Sequence, residues 1–85
     1  NSFTPNGDGR NDLFRIPPGT SIILKEFSIY NRWGMKIFST SDISKGWDGR
    51  YKSSLVDAGL YLFIIHASDY QNQNILLKGS VLVIR

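Results

Sequence analysis

The sequence predicts an all-β domain, a small antiparallel Ig-like β-sandwich. Three observations support this prediction. Apolar residues recur with period two in several short runs, and Gly, Pro and Asp residues separate these runs at regular intervals. No stretch shows the i, i+3, i+4, i+7 apolar stripe, with caps, of an amphipathic helix. We therefore expect short strands joined by tight turns around a single hydrophobic core.

The first two predicted strands form a hairpin. In the stretch ILKEFSIYNR, Phe27 and Ile29 alternate with the residues on either side, as in a half-buried strand. In MKIFST, Met35 and Ile37 alternate in the same way. The residues NRWG lie between the two stretches, and Gly34 can adopt a positive φ there at no steric cost.

The last two predicted strands are the most apolar. The stretch GLYLFIIHAS is apolar on both faces, which predicts a central strand covered on both sides. The stretch NILLKGSVLVIR follows the polar loop DYQNQN, and Gly79 within it indicates a bulge or a close approach of another part of the chain. We expect a core that contains Phe27, Ile29, Trp47, Tyr61, Phe63, Val81 and Val83.

Length and composition exclude several classes of function. Eighty-five residues suffice for one small core but not for a deep catalytic cleft. The chain has no cysteine, which excludes disulfides and thiolate metal sites, and no apolar run approaches the roughly 18–20 residues of a membrane span. The net charge is +3, but the basic residues are scattered, whereas nucleic-acid binding requires a denser patch. Because the first residue is Asn1 rather than Met, we expect a fragment of a larger protein.

The sequence offers no convincing catalytic set. Its single histidine, His66, lies within a predicted strand, and no serine stands in a nucleophile elbow of the type G-x-S-x-G. Three of the seven acidic residues, Asp8, Asp48 and Asp57, lie beside or near a glycine, where aspartate stabilises turns by accepting bonds from its own backbone. The sequence therefore predicts a domain that is not an enzyme.

The opening loop, TPNGDGRND, has two interpretations. Calcium prefers oxygen ligands at alternating loop positions, and Asn6, Asp8, Asn11 and Asp12 fit that spacing loosely. However, Arg10 stands where a third ligand is expected, and Asn-Gly and Asp-Gly are turn dipeptides in any context. The sequence favours a tight turn in which Asp8 and Asp12 accept backbone hydrogen bonds, with a calcium site as the alternative.

The two tryptophans have different expected roles. Trp47 precedes an Asp-Gly turn, and we expect it to fill the space between the two layers, with its indole N–H bonded to a carbonyl. Trp33 lies at the predicted hairpin tip beside Arg32. Because Trp and Arg are enriched at binding hot spots, Trp33 is either a packed cap or an exposed anchor for a partner.

Five motifs occur in order along the chain: FTPNGDGRNDLF, IYNRWGMKIF, GWDGRY, AGLYLFII and KGSVLVIR. Together they resemble the gliding-motility-associated C-terminal domain, which is the type B sorting domain of the Bacteroidota type IX secretion system. The resemblance covers essentially the whole chain. On this basis, residues 1–85 are expected to form a single C-terminal sorting domain of a larger secreted protein.

The resemblance implies a non-catalytic signal that directs its periplasmic cargo across the outer membrane through the type IX translocon. The cargo would then be secreted or remain at the cell surface. The implied recognition partner is a PorP/SprF-type outer-membrane protein, and no cofactor is required. The opening-loop motif comprises Thr4, Pro5, Asn6, Gly7, Asp8, Gly9, Asn11 and Asp12. The expected partner-binding residues are Tyr30, Asn31, Arg32, Trp33, Gly34, Lys78 and Arg85.

A second interpretation comes from a different class of protein. Small β-sandwiches also act as calcium-dependent adhesion or carbohydrate-binding modules of secreted proteins, and the fold alone does not separate the two functions. An aromatic platform with a tightly held calcium ion would favour the adhesion module. Loss of export on truncation would favour the sorting signal.

Overall fold

The computed structural model describes the backbone of residues 2–3 and 13–84 and the side chains of residues 13–84. This part of the chain contains strands and no helix, which confirms the all-β prediction. The strands are β1 (Ser2–Phe3), β2 (Ile23–Tyr30), β3 (Lys36–Thr40), β4 (Arg50–Tyr51), β5 (Ser54–Leu55), β6 (Gly59–Ser68) and β7 (Asn74–Val83).

Five of the strands form one sheet in the order β1-β7-β6-β2-β3. Strands β3, β2, β6 and β7 are antiparallel neighbours, as the sequence predicts. Strand β1 was not expected, and it is parallel to β7, with Ser2 opposite Leu82 and Phe3 opposite Val83. The first and last described strands of the chain therefore lie side by side.

The second layer is short and lies against one face of this sheet, which we call the inner face. It contains the two-stranded sheet β4-β5 and an isolated bridge in which the backbones of Phe14 and Trp47 exchange two hydrogen bonds of 2.9 Å. Trp47 is fully buried, and its Nε1–H donates to the carbonyl oxygen of Arg50 at 3.0 Å. Both predictions for Trp47 are thus confirmed.

The core lies between these layers and contains six of the seven predicted residues, together with Ile16, which was not predicted. The buried hydrophobic residues that pack together are Ile16, Phe27, Ile29, Trp47, Tyr61, Val81 and Val83. Phe63 is only partly buried, and it packs against this cluster instead of lying within it. Phe63 lines an open apolar groove of about 460 Å³ on the inner face, which Phe14 of the second layer borders.

Gly79 makes the close approach that its position indicated. It lies directly opposite Phe63 in the β6–β7 ladder, where the register continues without a bulge. The Phe63 ring lies so close that a Cβ atom at Gly79 would be 2.6 Å from Cζ. The absence of a side chain at residue 79 therefore makes room for the aromatic ring.

The prediction that β6 is covered on both sides was wrong. Strand β6 is central, but Leu60 and Leu62 are 57% and 49% exposed on the outer face, opposite the core. Apolar residues on both faces indicate only that both faces can be buried. In the described part of the chain, the second layer covers the inner face alone.

The β2–β3 hairpin confirms the predicted turn but departs from regular alternation. Its register shifts between Ile29, which is opposite Phe38, and Tyr30, which is opposite Lys36. Ile37 is therefore the extra residue of a bulge, and both Ile37 and Phe38 contact the core. A bulge places consecutive side chains on one side of a strand, which the simple alternation of Met35 and Ile37 does not anticipate.

Candidate functional site

Residues 31–35, here called the hairpin tip, join β2 to β3 and form a tightly bonded loop. The Oδ1 atom of Asn31 accepts hydrogen bonds from the backbone N–H groups of Trp33 at 3.0 Å and Met35 at 2.9 Å. The backbone of Asn31 also bonds to Met35 and Gly34 at 3.0 Å each, and Gly34 has a φ of 82°. Because Asn31 is buried, its side chain acts as an internal brace for the loop.

The braced loop holds an exposed aromatic residue. Trp33 is 76% exposed, which places it outside the core and excludes the packed-cap interpretation. The guanidinium carbon of Arg32 lies 4.6 Å from the centre of the Trp33 ring, within the range of a cation–π contact. The tip therefore presents a stacked pair of an indole and a cation to the surroundings.

Two hollows adjoin Trp33. The smaller, of about 40 Å³, lies between the tip and the chain segment that leads into β6, and Asp57 and Leu60 line it. The larger, of about 320 Å³, is lined by Met35 of the tip and by Tyr51 and Leu55 of the second layer. Neither hollow could be predicted from the sequence, because both depend on how the segment before β6 folds beside the tip.

Three of the expected partner-binding residues meet on the outer face. Tyr30, Gly34 and Lys78 line one open hollow of about 560 Å³, together with Leu62 and Ile64 of β6. The ladder explains this, since Tyr30 is opposite Leu62, and Ile64 is opposite Lys78. Arg32 and Trp33 do not line this hollow but adjoin it at the tip.

A polar cluster lies further along the same outer face. The Oε2 atom of Glu26 accepts hydrogen bonds from Lys36 Nζ at 2.6 Å and Ser39 Oγ at 2.8 Å. These bonds favour the carboxylate and hold the pKa of Glu26 below its ordinary value, and the same pair raises the pKa of Lys36. His66 is opposite Glu26 in the ladder and is exposed.

The remaining sequence-predicted residues lie outside the described part of the chain. They are the opening-loop residues Thr4, Pro5, Asn6, Gly7, Asp8, Gly9, Asn11 and Asp12, and also Arg85. Within residues 13–84, no group of three or more His, Asp or Glu side chains is arranged to hold a metal ion. The described ranges also contain no helix long and apolar enough to cross a membrane.

Comparison with known proteins identifies the family. The family model described as the CHU_C type IX secretion signal domain matches residues 1–83, nearly the whole chain. No curated protein matches the chain. A signal of this kind serves the type IX secretion machinery, which exports cargo across the outer membrane to the cell surface or the medium. The chain therefore belongs to the family of type IX secretion signal domains, and its function is that of a C-terminal secretion signal.

Proposed function

We propose that this domain is a non-catalytic signal that a PorP/SprF-type outer-membrane protein recognises from the periplasmic side. The recognition surface comprises the hairpin tip, with Arg32 and Trp33 as its anchors, and the adjoining outer face around Tyr30 and Lys78. In this proposal the signal takes no part in chemistry and requires no cofactor. A complementary protein surface recognises the signal in its folded form.

The observation that carries the proposal is the combination of exposure and rigidity at Trp33. An indole that is 76% exposed contributes little to the core, so stability alone does not explain its position. The two hydrogen bonds to Asn31 already fix the loop that carries it, which reduces the ordering cost of binding. Trp and Arg residues presented in this way are the most frequent hot spots of protein interfaces.

An export assay tests the proposal. The cargo protein, or a periplasmic reporter followed by this domain, is expressed in a host with the matching machinery, and secreted and retained fractions are measured. We expect Trp33→Ala and Arg32→Ala to reduce export several-fold while changing the free energy of unfolding by less than about 0.5 kcal/mol. Thermal melts of the purified variants provide the second measurement.

Tyr70 offers a matched control. It is 73% exposed, close to the exposure of Trp33, and it lies in the loop between β6 and β7, at the opposite end of the sheet from the tip. Tyr70→Ala should leave export unchanged. If the Tyr70 and tip variants reduce export equally, or if folded tip variants are exported normally, then the hairpin tip is not the recognition surface.

For the opening loop, we propose a tight turn held by its own hydrogen bonds rather than a metal site. We propose that Asp8 and Asp12 accept backbone hydrogen bonds, in accordance with their positions beside Gly9 and Asn11. Thermal melts in chelator and in millimolar calcium should then coincide. A cation that bound only the folded state at 100 times its dissociation constant would add about 2.7 kcal/mol, and such a rise would favour the calcium-dependent adhesion module instead.

A further inference from the structure

One edge of the main sheet is largely unpaired within the described residues. Strand β7 pairs with β6 along its whole length, from Asn74 to Val83. On its other side it pairs only with β1, opposite Leu82 and Val83. Over residues 74–81, no described strand lies beside this edge.

The alternation of bonded and non-bonded pairs in the β6–β7 ladder shows which backbone groups face this edge. The N–H of Asp69 donates to the carbonyl of Gln73, which makes that pair the first bonded rung of the β6–β7 ladder. Bonded and non-bonded pairs alternate in an antiparallel ladder, and this register continues without a shift. The residues of β7 opposite Ala67, Ile65 and Phe63 therefore bond to β6. The N–H and C=O groups of Leu76, Lys78 and Ser80 point away from it.

This edge lacks the features that commonly protect an exposed strand from pairing. Residues 74–81 contain no proline and a single charge, Lys78, while Leu76 and Leu77 are 58% and 53% exposed. The opposite edge differs, because β3 has only five residues, carries a bulge and bears the Lys36–Glu26 ion pair. The β7 edge is thus the one that is suited to accept another strand.

The direction of β1 identifies the strand that fits. Because β1 is parallel to β7 and Ser2 is opposite Leu82, polypeptide that leads into Ser2 in a straight strand runs beside residues 81 down to 74. We propose that the segment joining the cargo to this domain continues β1 and pairs with β7 along this edge. The proposal rests on the proposed function, in which the signal follows its cargo in the chain.

The register also predicts a sequence pattern for this segment. Directly paired residues of a parallel ladder place their side chains on the same face. Gly79 and Leu77 face inward, and they lie three and five residues before Leu82, the partner of Ser2. The residues three and five positions before Ser2 should therefore be apolar, because they would cover Leu77 and the open groove beside Phe63.

Hydrogen exchange on the full-length protein tests the pairing. After correction for intrinsic rates, the amides of Leu76, Lys78 and Ser80 should exchange at least about tenfold more slowly than the amide of Ser39. Ser39 is a matched reference on the β3 edge. It is opposite Ser28, whose backbone groups face Ile64 of β6, so the N–H of Ser39 also points outward.

A pair of variants in the joining segment supplies the control. A substitution to aspartate five positions before Ser2, on the inward side, should abolish the slow exchange at Lys78. A substitution to aspartate four positions before Ser2, on the outward side, should preserve the slow exchange.

Exchange at Lys78 as fast as at Ser39 in the full-length protein would overturn the proposal. So would protection that appears only with an outer-membrane partner, or only at high protein concentration, because the occupant would then be a receptor strand or a second copy. Export of the tip variants is measured separately, so failure of the proposed function is distinguishable from failure of this pairing.

Discussion

The substitution Gly79→Ala tests whether the Phe63 ring explains the glycine in β7. The added Cβ would lie 2.6 Å from Cζ and 2.7 Å from Cε2 of Phe63, whereas ordinary contacts begin at 3.4 Å. The ring must therefore move by the greater part of an ångström. Phe63 also contacts Phe14, with ring centroids 5.4 Å apart, and Phe14 contacts Phe27 at 5.9 Å. A displaced ring thus disturbs a row of three aromatic side chains.

Two opposing effects set the size of the change. Alanine restricts the unfolded chain more than glycine does, which stabilises a strand by about 0.5–1 kcal/mol. Overpacking a well-packed site costs about 1–3 kcal/mol. Since Phe63 is half-buried and has some freedom to move, we expect a net loss of about 0.5–2 kcal/mol in the free energy of unfolding.

A double-mutant cycle in urea isolates this contact. Phe63→Leu removes the ring atoms that the new Cβ would approach, so Gly79→Ala should be neutral or slightly stabilising in that background. Ser80→Ala, at the exposed neighbouring position, is the control and should change stability by less than about 0.5 kcal/mol. If Gly79→Ala is equally destabilising with and without the Phe63 ring, then close approach of the ring does not explain the glycine.

Three further predictions concern other parts of the fold. Trp47→Ala should cost about 3–5 kcal/mol in chemical denaturation, because it empties a fully buried aromatic site, and Trp47→Phe should cost less while still losing the indole hydrogen bond. Asn31→Ala removes the acceptor of two backbone N–H groups and should lower stability by about 1–2 kcal/mol, with faster amide exchange at Trp33 and Met35. Glu26→Gln should cost up to about 1 kcal/mol at pH 7, because the ion pair is solvent-exposed. The pKa of Glu26 is lowered in the folded state, so this difference should be complete above pH 4.5 and vanish in melts at lower pH, as the carboxylate is protonated.

The elements that the sequence predicted well are those that local patterns determine. The bounds of β6 agree with the stretch GLYLFIIHAS, and the turn before β3 forms where Gly34 permits a positive φ. The burial of Trp47 and its bond to a carbonyl also agree, because a large aromatic side chain beside an Asp-Gly turn has few alternatives in so small a core.

The features that the sequence did not predict depend on contacts between distant residues. Period-two alternation shows that a strand has two faces but not which face another layer will cover, so the exposure of Leu60 and Leu62 was missed. The bulge at Ile37 arises from the pairing of two strands rather than from either strand alone. At the candidate site, the turn residues were visible in the sequence, but the bracing by Asn31 was not, because it requires the folded loop.

The pairing of β1 with β7 has a consequence for synthesis. Ser2 and Leu82 are direct partners although they stand near opposite ends of the sequence, and Val81 and Val83 contribute two fully buried side chains to the core. Within the described part of the domain the ribosome makes these residues last, so a nascent chain cannot complete the sheet until translation of that part is almost finished. A prematurely terminated product would lack the strand that closes its own core. Folding of the signal domain therefore follows the synthesis of β7 and cannot be completed by the earlier strands alone.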